Sequence, residues 1–180
     1  MLVKLLTHHR RIWLLILLAC VGLLSFGMYL QHVVGLVPCP MCIVQRYVMV
    51  LMGVVALLGV VFPFRQAALL VGSGLTLLAS GGAYVAARQS WLQWYPPEFA
   101  SCGRDFYGMI ETFPLQRAIP MIFKGSGDCT KVDWTFLGGS IANWSFVAFV
   151  GLGLLALLTW VQVWRNAQPT DHDEAAETAH

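Results

Sequence analysis

Two cysteines and an arginine lie close together in the chain, with the spacing of neighbours on a helix. Cys39 and Cys42 are separated by Pro40 and Met41, and Arg46 follows one helical turn after the second cysteine. Proline suits the first turn of a helix, where its missing N–H is no loss. If a helix begins at Pro40, residues three and four positions apart share a face. We therefore expect both thiols and the guanidinium on one side of it.

This arrangement is typical of thiol–disulfide chemistry. A helix N-terminus and a nearby cation both favour the thiolate, which is the nucleophile in disulfide exchange. An arginine inside an apolar span costs at least about 2.5 kcal/mol to insert, so Arg46 is a functional candidate by default. It would stabilise a thiolate, or an acceptor oxygen that gains negative charge. The alternative is that Arg46 snorkels to the headgroups. Gln45 points to an adjacent face and is a weaker candidate that could add a hydrogen bond.

Three further cysteines complete an odd total of five, so at least one stays unpaired in the monomer. They are Cys20, Cys102 and Cys129. A zinc site would need two ligands besides Cys39 and Cys42, and the outer segments add only His32 to the cysteines, so we expect no metal. Structural disulfides are the stronger alternative, because exported loops use them as staples. A two-residue ring at a helix start would constrain almost nothing, whereas a bridge within the long loop would be a staple or a moving redox carrier.

The composition is that of a membrane protein. Of the 180 residues, 58% are hydrophobic and 11% are charged, and the mean hydropathy is +0.69; soluble domains carry about 25% charged residues. A net charge of +2 gives no indication of nucleic acid binding. Four apolar runs approach the roughly 20 residues that a spanning helix needs: 12–30, 43–62, 67–87 and 144–164. We predict an all-α bundle of four transmembrane helices, forming a single membrane domain over residues 1–180.

Basic residues predict the orientation of this bundle. They precede the first span, fill the turn between the second and third, and follow the fourth: Lys4, Arg10, Arg11, Arg65 and Arg165. By the positive-inside rule both termini are cytoplasmic, and the cysteine-bearing loops face the opposite side, which is the periplasm in a bacterium.

The segments outside the spans differ in character. Residues 88–143 contain several prolines and a Gly-Ser-Gly cluster, so we predict a long mobile loop with short helical pieces. Residues 166–180 are polar and acidic, which predicts a disordered tail. In the third span, Ala79, Ala83 and Ala87 have four-residue spacing and predict close helix packing.

Cys20 follows Leu17, Leu18 and Ala19 in a pattern like the lipobox of bacterial lipoproteins. The apolar region of a signal peptide ends at its cleavage site. Here the run continues without a charge to Leu30, which completes a full span. We therefore interpret Cys20 as a small apolar side chain inside the bundle, and lipoprotein processing as the alternative.

Taken in order, these features resemble the disulfide bond formation protein B family of bacterial inner membranes. The resemblance lies in four spans and the run P-C-P-M-C-I-V-Q-R from Pro38 to Arg46. It extends to the second pair in a long outer loop, where W-L-Q-W-Y-P-P-E-F-A-S-C ends at Cys102 and G-S-G-D-C ends at Cys129. It continues in W-T-F-L-G after that loop, and covers roughly residues 10–165.

The resemblance implies a disulfide-generating relay. A Cys102–Cys129 disulfide would re-oxidise a periplasmic thiol oxidase of the DsbA type, with Cys102 forming the mixed disulfide. The electrons would pass to Cys39–Cys42 and then to a membrane quinone near Arg46, either ubiquinone or menaquinone. Some relatives carry a histidine where this chain has Gln89, so we assign no role to that position.

Two classes of function stay open on the residues alone. One is this oxidoreductase; the other is a membrane binding or assembly protein whose cysteines only brace its loops. A vitamin K epoxide reductase-like protein also uses a membrane C-x-x-C, but usually in a later span, so it ranks below. Cycling by dithiol and quinone separates the first two classes.

Overall fold

Four long helices dominate the structure, a computed structural model that describes residues 2–36, 38–62, 64–96, 132 and 134–166, with side chains from residue 9 onward. Within these ranges the helices are α1 (Leu2–His32), α2 (Pro40–Val61), α3 (Arg65–Trp94) and α4 (Ile141–Arg165). A small antiparallel hairpin, β1 (Thr135–Phe136) and β2 (Gly139–Ser140), precedes α4. Helix α2 packs between α1 and α3, and α3 packs along α4.

Each helix is long and apolar enough to cross a membrane. The candidate spans are His9–His32, Pro40–Val61, Arg65–Trp94 and Ile141–Arg165. Leucines cover much of the outer surface; Leu70 and Leu77, for example, are each 74% exposed. Such a surface is stable against lipid chains rather than water, and helices satisfy their own backbone hydrogen bonds there. The predicted four-span helical membrane bundle is confirmed.

The helices extend past the apolar runs that predicted them. Helix α3 continues through Arg88 to Trp94, and α4 already begins at Ile141. The loop predicted over residues 88–143 is therefore wrong at both of its ends. Hydropathy marks where side chains become polar, but a helix continues through polar residues while its backbone hydrogen bonds form within the segment. The N–H of Tyr95, which bonds to Trp91, closes α3 just before a proline.

One face of α3 carries small side chains that allow α4 to approach closely. A β-carbon added at Gly82 would overlap the ring of Phe149 on α4. Ala79 is buried and Ala83 half-buried, as their predicted packing role requires. Ala87 is exposed, so the predicted stripe is wrong at its last member. A helix has 3.6 residues per turn, and a row of four-residue steps therefore drifts off the contact face.

Cys20 lies in the centre of the apolar core. Its side chain is fully buried and belongs to a cluster that includes Trp13, Ile16, Met52 and Leu75. Helix α1 continues past it to His32. The interpretation of Cys20 as a buried apolar side chain is confirmed.

The hairpin reverses the chain and connects it to the bundle. Its two turn residues, Leu137 and Gly138, both have positive φ, at 50° and 79°, as a two-residue type I′ turn requires. Glycine adopts this conformation without the cost that leucine carries. The hydroxyl of Ser140 accepts the N–H of Asn143 to cap α4 and donates to Gln93 of α3 at 2.6 Å. These bonds hold the hairpin against the end of α3.

Candidate functional site: a dithiol beside a cavity between the helices

The Cys39–Cys42 pair lies at the start of α2. Cys39 is the N-cap residue, Pro40 is the first helical residue, and Cys42 lies in the first turn. The two sulfurs are 3.1 Å apart, with the Cys39 thiol donating to Cys42. Cys39 is buried and Cys42 is half-buried. The helix start that proline predicted thus brings two thiols within contact distance of each other.

Gln89 of α3 reaches across to both sulfurs. Its amide nitrogen donates to Cys39 Sγ at 3.3 Å and to Cys42 Sγ at 3.2 Å. The amide oxygen accepts a 2.8 Å hydrogen bond from Gln45 of α2. Both glutamines are at least 95% buried, since their exposed fractions are 3% and 5%. This contact was not predicted from the sequence, in which Gln89 had no assigned role and Gln45 only a weak one.

Arg46 turns towards α1. Its guanidinium donates to the carbonyl of Gly27 at 3.1 Å, to the side-chain oxygen of Gln31, and to the sulfur of Met28 at 4.0 Å. The residue is half-buried. Three groups on one helix therefore fix the direction of the guanidinium.

A cavity of about 680 Å³ opens beside these groups. Its wall includes Cys39, Cys42, Gln45, Arg46 and Gln89, and is otherwise mostly apolar. All four helices and the hairpin contribute to it. Among the described lining residues Arg46 is the only one with a formal charge. A mostly apolar concavity with a few convergent polar groups is the usual form of a small-molecule site.

Aromatic rings from the hairpin region cover one side of the cavity. The Trp134 ring lies edge-on to Phe26 of α1, with centroids 5.9 Å apart, and stacks on Phe136 at 6.1 Å. The indole N–H of Trp144 donates to the Phe136 carbonyl at 2.9 Å. All four residues line the cavity. The hairpin therefore fixes an aromatic part of the cavity wall.

The sequence-predicted residues divide into two groups. Cys39, Cys42 and Arg46 are brought to the wall of one cavity, as their helical spacing predicted. Cys102 and Cys129 lie outside the described residues. A dithiol with hydrogen-bond donors and a cation nearby is suited to oxidation to a disulfide. The roles of these five residues stay a prediction.

Comparison with known proteins gives the family. The sequence profile described as "Disulfide bond formation protein DsbB" matches residues 9–159. A protein named "Disulfide bond formation protein B" from Polaromonas naphthalenivorans (strain CJ2) is 70% identical over 158 residues, which cover 87% of this chain and 94% of that protein. A protein of the same name from Albidiferax ferrireducens (strain ATCC BAA-621 / DSM 15236 / T118) is 66% identical over 159 residues, covering 87% and 88%. The chain therefore belongs to the disulfide bond formation protein B family, and it is a multi-pass membrane protein with a redox role in disulfide formation.

Proposed function

We propose that the protein is a membrane thiol:quinone oxidoreductase that re-oxidises a periplasmic thiol oxidase of the DsbA type. The observation that carries this proposal is the position of Cys39, Cys42 and Arg46 on the wall of one apolar cavity. In the oxidation the two thiols lose two protons and two electrons and form one S–S bond. A bound quinone supplies the oxidising power, taking up two electrons and two protons to become a quinol.

The character of the cavity supports a quinone as the acceptor. Leu23, Leu24, Leu30, Met49 and Phe149 provide apolar surface for a ring and its lipid-like tail. Among the polar groups of its wall, Gln89 hydrogen-bonds to both thiols. The volume of about 680 Å³ lies within the range of about 300–1,000 Å³ that small-molecule sites occupy. These features fit a ligand that is mostly apolar and carries a few carbonyl oxygens.

Arg46 would act on the oxygen of the acceptor. Its contacts with Gly27 and Gln31 orient the guanidinium without neutralising it, because a carbonyl and an amide carry no formal charge. Among the described residues that line the cavity, none is a carboxylate. A preorganised cation in an apolar site favours an oxygen that gains negative charge, and it does so more strongly than in water.

The outer half of the relay rests on the family resemblance. Cys102 would form the mixed disulfide with the partner oxidase, and Cys129 would be released. Cys39, nearer the start of α2, would exchange with this loop pair, and Cys42 would face the quinone. DsbA is itself a strong oxidant, at about −120 mV, so its re-oxidation needs an acceptor that pulls harder still. A quinone of the respiratory membrane meets that requirement.

The basic residues support the placement of this relay. Lys4 and Arg10 before the first span and Arg165 after the fourth favour cytoplasmic termini. The protein would then lie in the bacterial inner membrane with its cysteine-bearing loops in the periplasm. Disulfides persist there and a partner oxidase is accessible.

The test is anaerobic oxidation of the pre-reduced, purified protein by added quinone. We expect loss of the two thiols at Cys39 and Cys42, located by mass spectrometry, together with formation of one quinol for each disulfide that forms. Ubiquinone and menaquinone analogues are compared in parallel arms. The matched control is Cys39→Ser/Cys42→Ser, which should form no quinol. If the wild-type disulfides neither reduce with dithiol nor re-form with either quinone, the cysteines only brace the fold and the proposal is wrong.

A further inference from the structure

A buried pair of glutamines lies directly behind the dithiol. Gln89 donates one hydrogen bond to each sulfur, and Gln45 donates to the oxygen of Gln89. We propose that Gln89 is a catalytic hydrogen-bond donor that stabilises the Cys39 and Cys42 thiolates, and that Gln45 is the positioning residue that fixes its amide. This inference rests on the proposed function for the step it serves, but its geometry is independent of any quinone.

The donor inventory of the amide explains the assignment. A glutamine side chain has two N–H donors on its nitrogen and an acceptor oxygen. The oxygen of Gln89 faces Gln45 at 2.8 Å, so its nitrogen faces the sulfurs, at 3.3 and 3.2 Å. Turning the Gln89 amide over would place its nitrogen against the nitrogen of Gln45, two donors with no acceptor, unless Gln45 turned as well. Gln45 therefore determines that hydrogen-bond donors, rather than an acceptor, point at the thiols.

The hydrogen bonds discriminate between states of the sulfur. A thiolate is a charged, strong acceptor, whereas a thiol or disulfide sulfur is a weak one, so the same N–H stabilises the thiolate most. Both glutamines are at least 95% buried, which limits competition from water. In the step that Gln89 serves, both thiols lose their protons, the S–S bond forms, and two electrons and two protons pass to the quinone. The donor helps at the stage when negative charge sits on sulfur.

Arg46 does not duplicate this role. Its three hydrogen-bond contacts are all on α1, to Gly27, Met28 and Gln31, and none of them is to the sulfur of Cys39 or Cys42. Gln89 instead reaches the pair from α3, more than 40 residues along the chain. Two different helices thus act on the site: α1 orients a cation beside the cavity, and α3 presents a neutral donor to the thiols.

The experiment measures thiol reactivity without quinone. In the full-length chain carrying Cys20→Ala, Cys102→Ser and Cys129→Ser, the reduced protein is alkylated with iodoacetamide across a pH series. For Gln89→Met we expect the midpoint of the alkylation profile to rise by about one pH unit and the rate at neutral pH to fall about tenfold, the effect of losing one hydrogen bond to a charged group. Gln45→Met should also raise the midpoint of the alkylation profile, and it should lower the rate at neutral pH about threefold.

The two substitutions should not add. If Gln45 acts only through Gln89, the double variant Gln45→Met/Gln89→Met is alkylated like Gln89→Met alone. Gln93→Met is the matched control for thiol reactivity. It removes an amide one turn further along α3, where it bonds to Ser140, and it should leave the alkylation profile unchanged.

A second variant keeps the test decisive if Gln89→Met folds poorly. Gln89→Glu has nearly the same shape, replaces the donor nitrogen with an acceptor oxygen, and should raise the midpoint further. An unchanged alkylation profile in whichever of these variants is folded overturns the role of Gln89, and an additive double variant overturns that of Gln45. Failure of the wild-type protein to reduce quinone would instead refute the proposed function, and it would leave this alkylation comparison readable.

Discussion

Cys20 and the Cys39–Cys42 pair show what two environments do to the same side chain. Both environments occur along one helix interface, α1 against α2. A β-carbon added at Gly53 would lie 3.7 Å from Cys20, and one added at Gly27 would lie 3.7 Å from the Arg46 guanidinium. These two contacts are seven residues apart on each helix, or about 10 Å along the axis. Within that distance the interface changes from dry core to polar cavity.

The difference lies in what surrounds the sulfur. Cys20 is fully buried and packs with Trp13, Met52 and other apolar side chains, so it behaves as a small hydrophobe. Cys42 lies at a helix start, receives a hydrogen bond from Gln89, and borders an open cavity. Reactivity of a cysteine follows from donors, charge and access. Hydrogen-bond donors, a nearby charge and access are present at the Cys39–Cys42 pair, whereas Cys20 is surrounded by apolar side chains.

Removal of a single thiol should have the largest effect on activity at the Cys39–Cys42 pair and almost none at Cys20. We expect Cys42→Ser to lower quinone-dependent oxidation of a dithiol donor to background, because no S–S bond can form with Cys39. Cys20→Ala, the matched control, should stay within about twofold of wild type, since it only leaves a small void in the core. Turnover by the purified variants at saturating quinone measures both. Equal losses of turnover in Cys42→Ser and Cys20→Ala would contradict the different roles assigned to the two cysteines.

Substitutions of Arg46 change the polar part of the cavity and leave both cysteines in place. For Arg46→Ala we expect the KM for quinone to rise about 10- to 100-fold, as for loss of a charge-assisted hydrogen bond of about 1.5–3 kcal/mol. Arg46→Lys keeps the charge but loses the planar fork that contacts Gly27 and Gln31. Its KM for quinone should therefore lie between those of wild type and Arg46→Ala. Steady-state rates over a quinone series measure this. Normal turnover of Arg46→Ala at low quinone would contradict the assigned role.

Gly82 tests how the packed core supports the cavity. Its missing side chain makes room for Phe149, which belongs to the core cluster and also lines the cavity. We expect Gly82→Ala to destabilise the protein by about 1–3 kcal/mol through overpacking, and to raise the KM for quinone a few-fold by displacing the ring. Thermal unfolding in detergent and steady-state rates measure the two effects.

Gly81 is the matched control for that substitution. It is the preceding residue of α3, and a β-carbon added there meets nothing within 4 Å. Gly81→Ala should therefore unfold at the same temperature as wild type or higher, because alanine is the better helix former. Equal unfolding temperatures and equal KM values in the two alanine variants would show that Gly82 and Phe149 are not tightly packed.

The chemistry at the start of α2 could be predicted because it depends on local spacing. Pro40, the C-x-x-C and Arg46 lie within one short stretch, and helix geometry alone brings them to one side. The contacts to α1 and α3 could not be predicted, because they depend on which helices pack together. The N–H donors for the sulfurs come from Gln89, and the groups that hold Arg46 come from residues 27–31.

A signal for Gln89 is nevertheless present in α3. The buried positions Gly72, Leu75, Ala79, Gly82, Ala86 and Gln89 follow alternating steps of three and four. Such a row marks the face of a helix that packs in a bundle. Following it to its end leads from the small packing residues to a buried amide. The four-residue alanine spacing that the sequence analysis used diverges from this row after Ala79.

Photolabelling with a quinone analogue that carries a photoreactive group would show whether the Cys39–Cys42 dithiol meets a lipid-soluble acceptor in the cavity between the helices. We predict crosslinks on cavity residues such as Phe26, Met49 and Phe149, suppressed by excess unlabelled quinone. Crosslinks confined to outward-facing side chains such as Leu70 and Leu77, with the cavity unlabelled, would contradict the account.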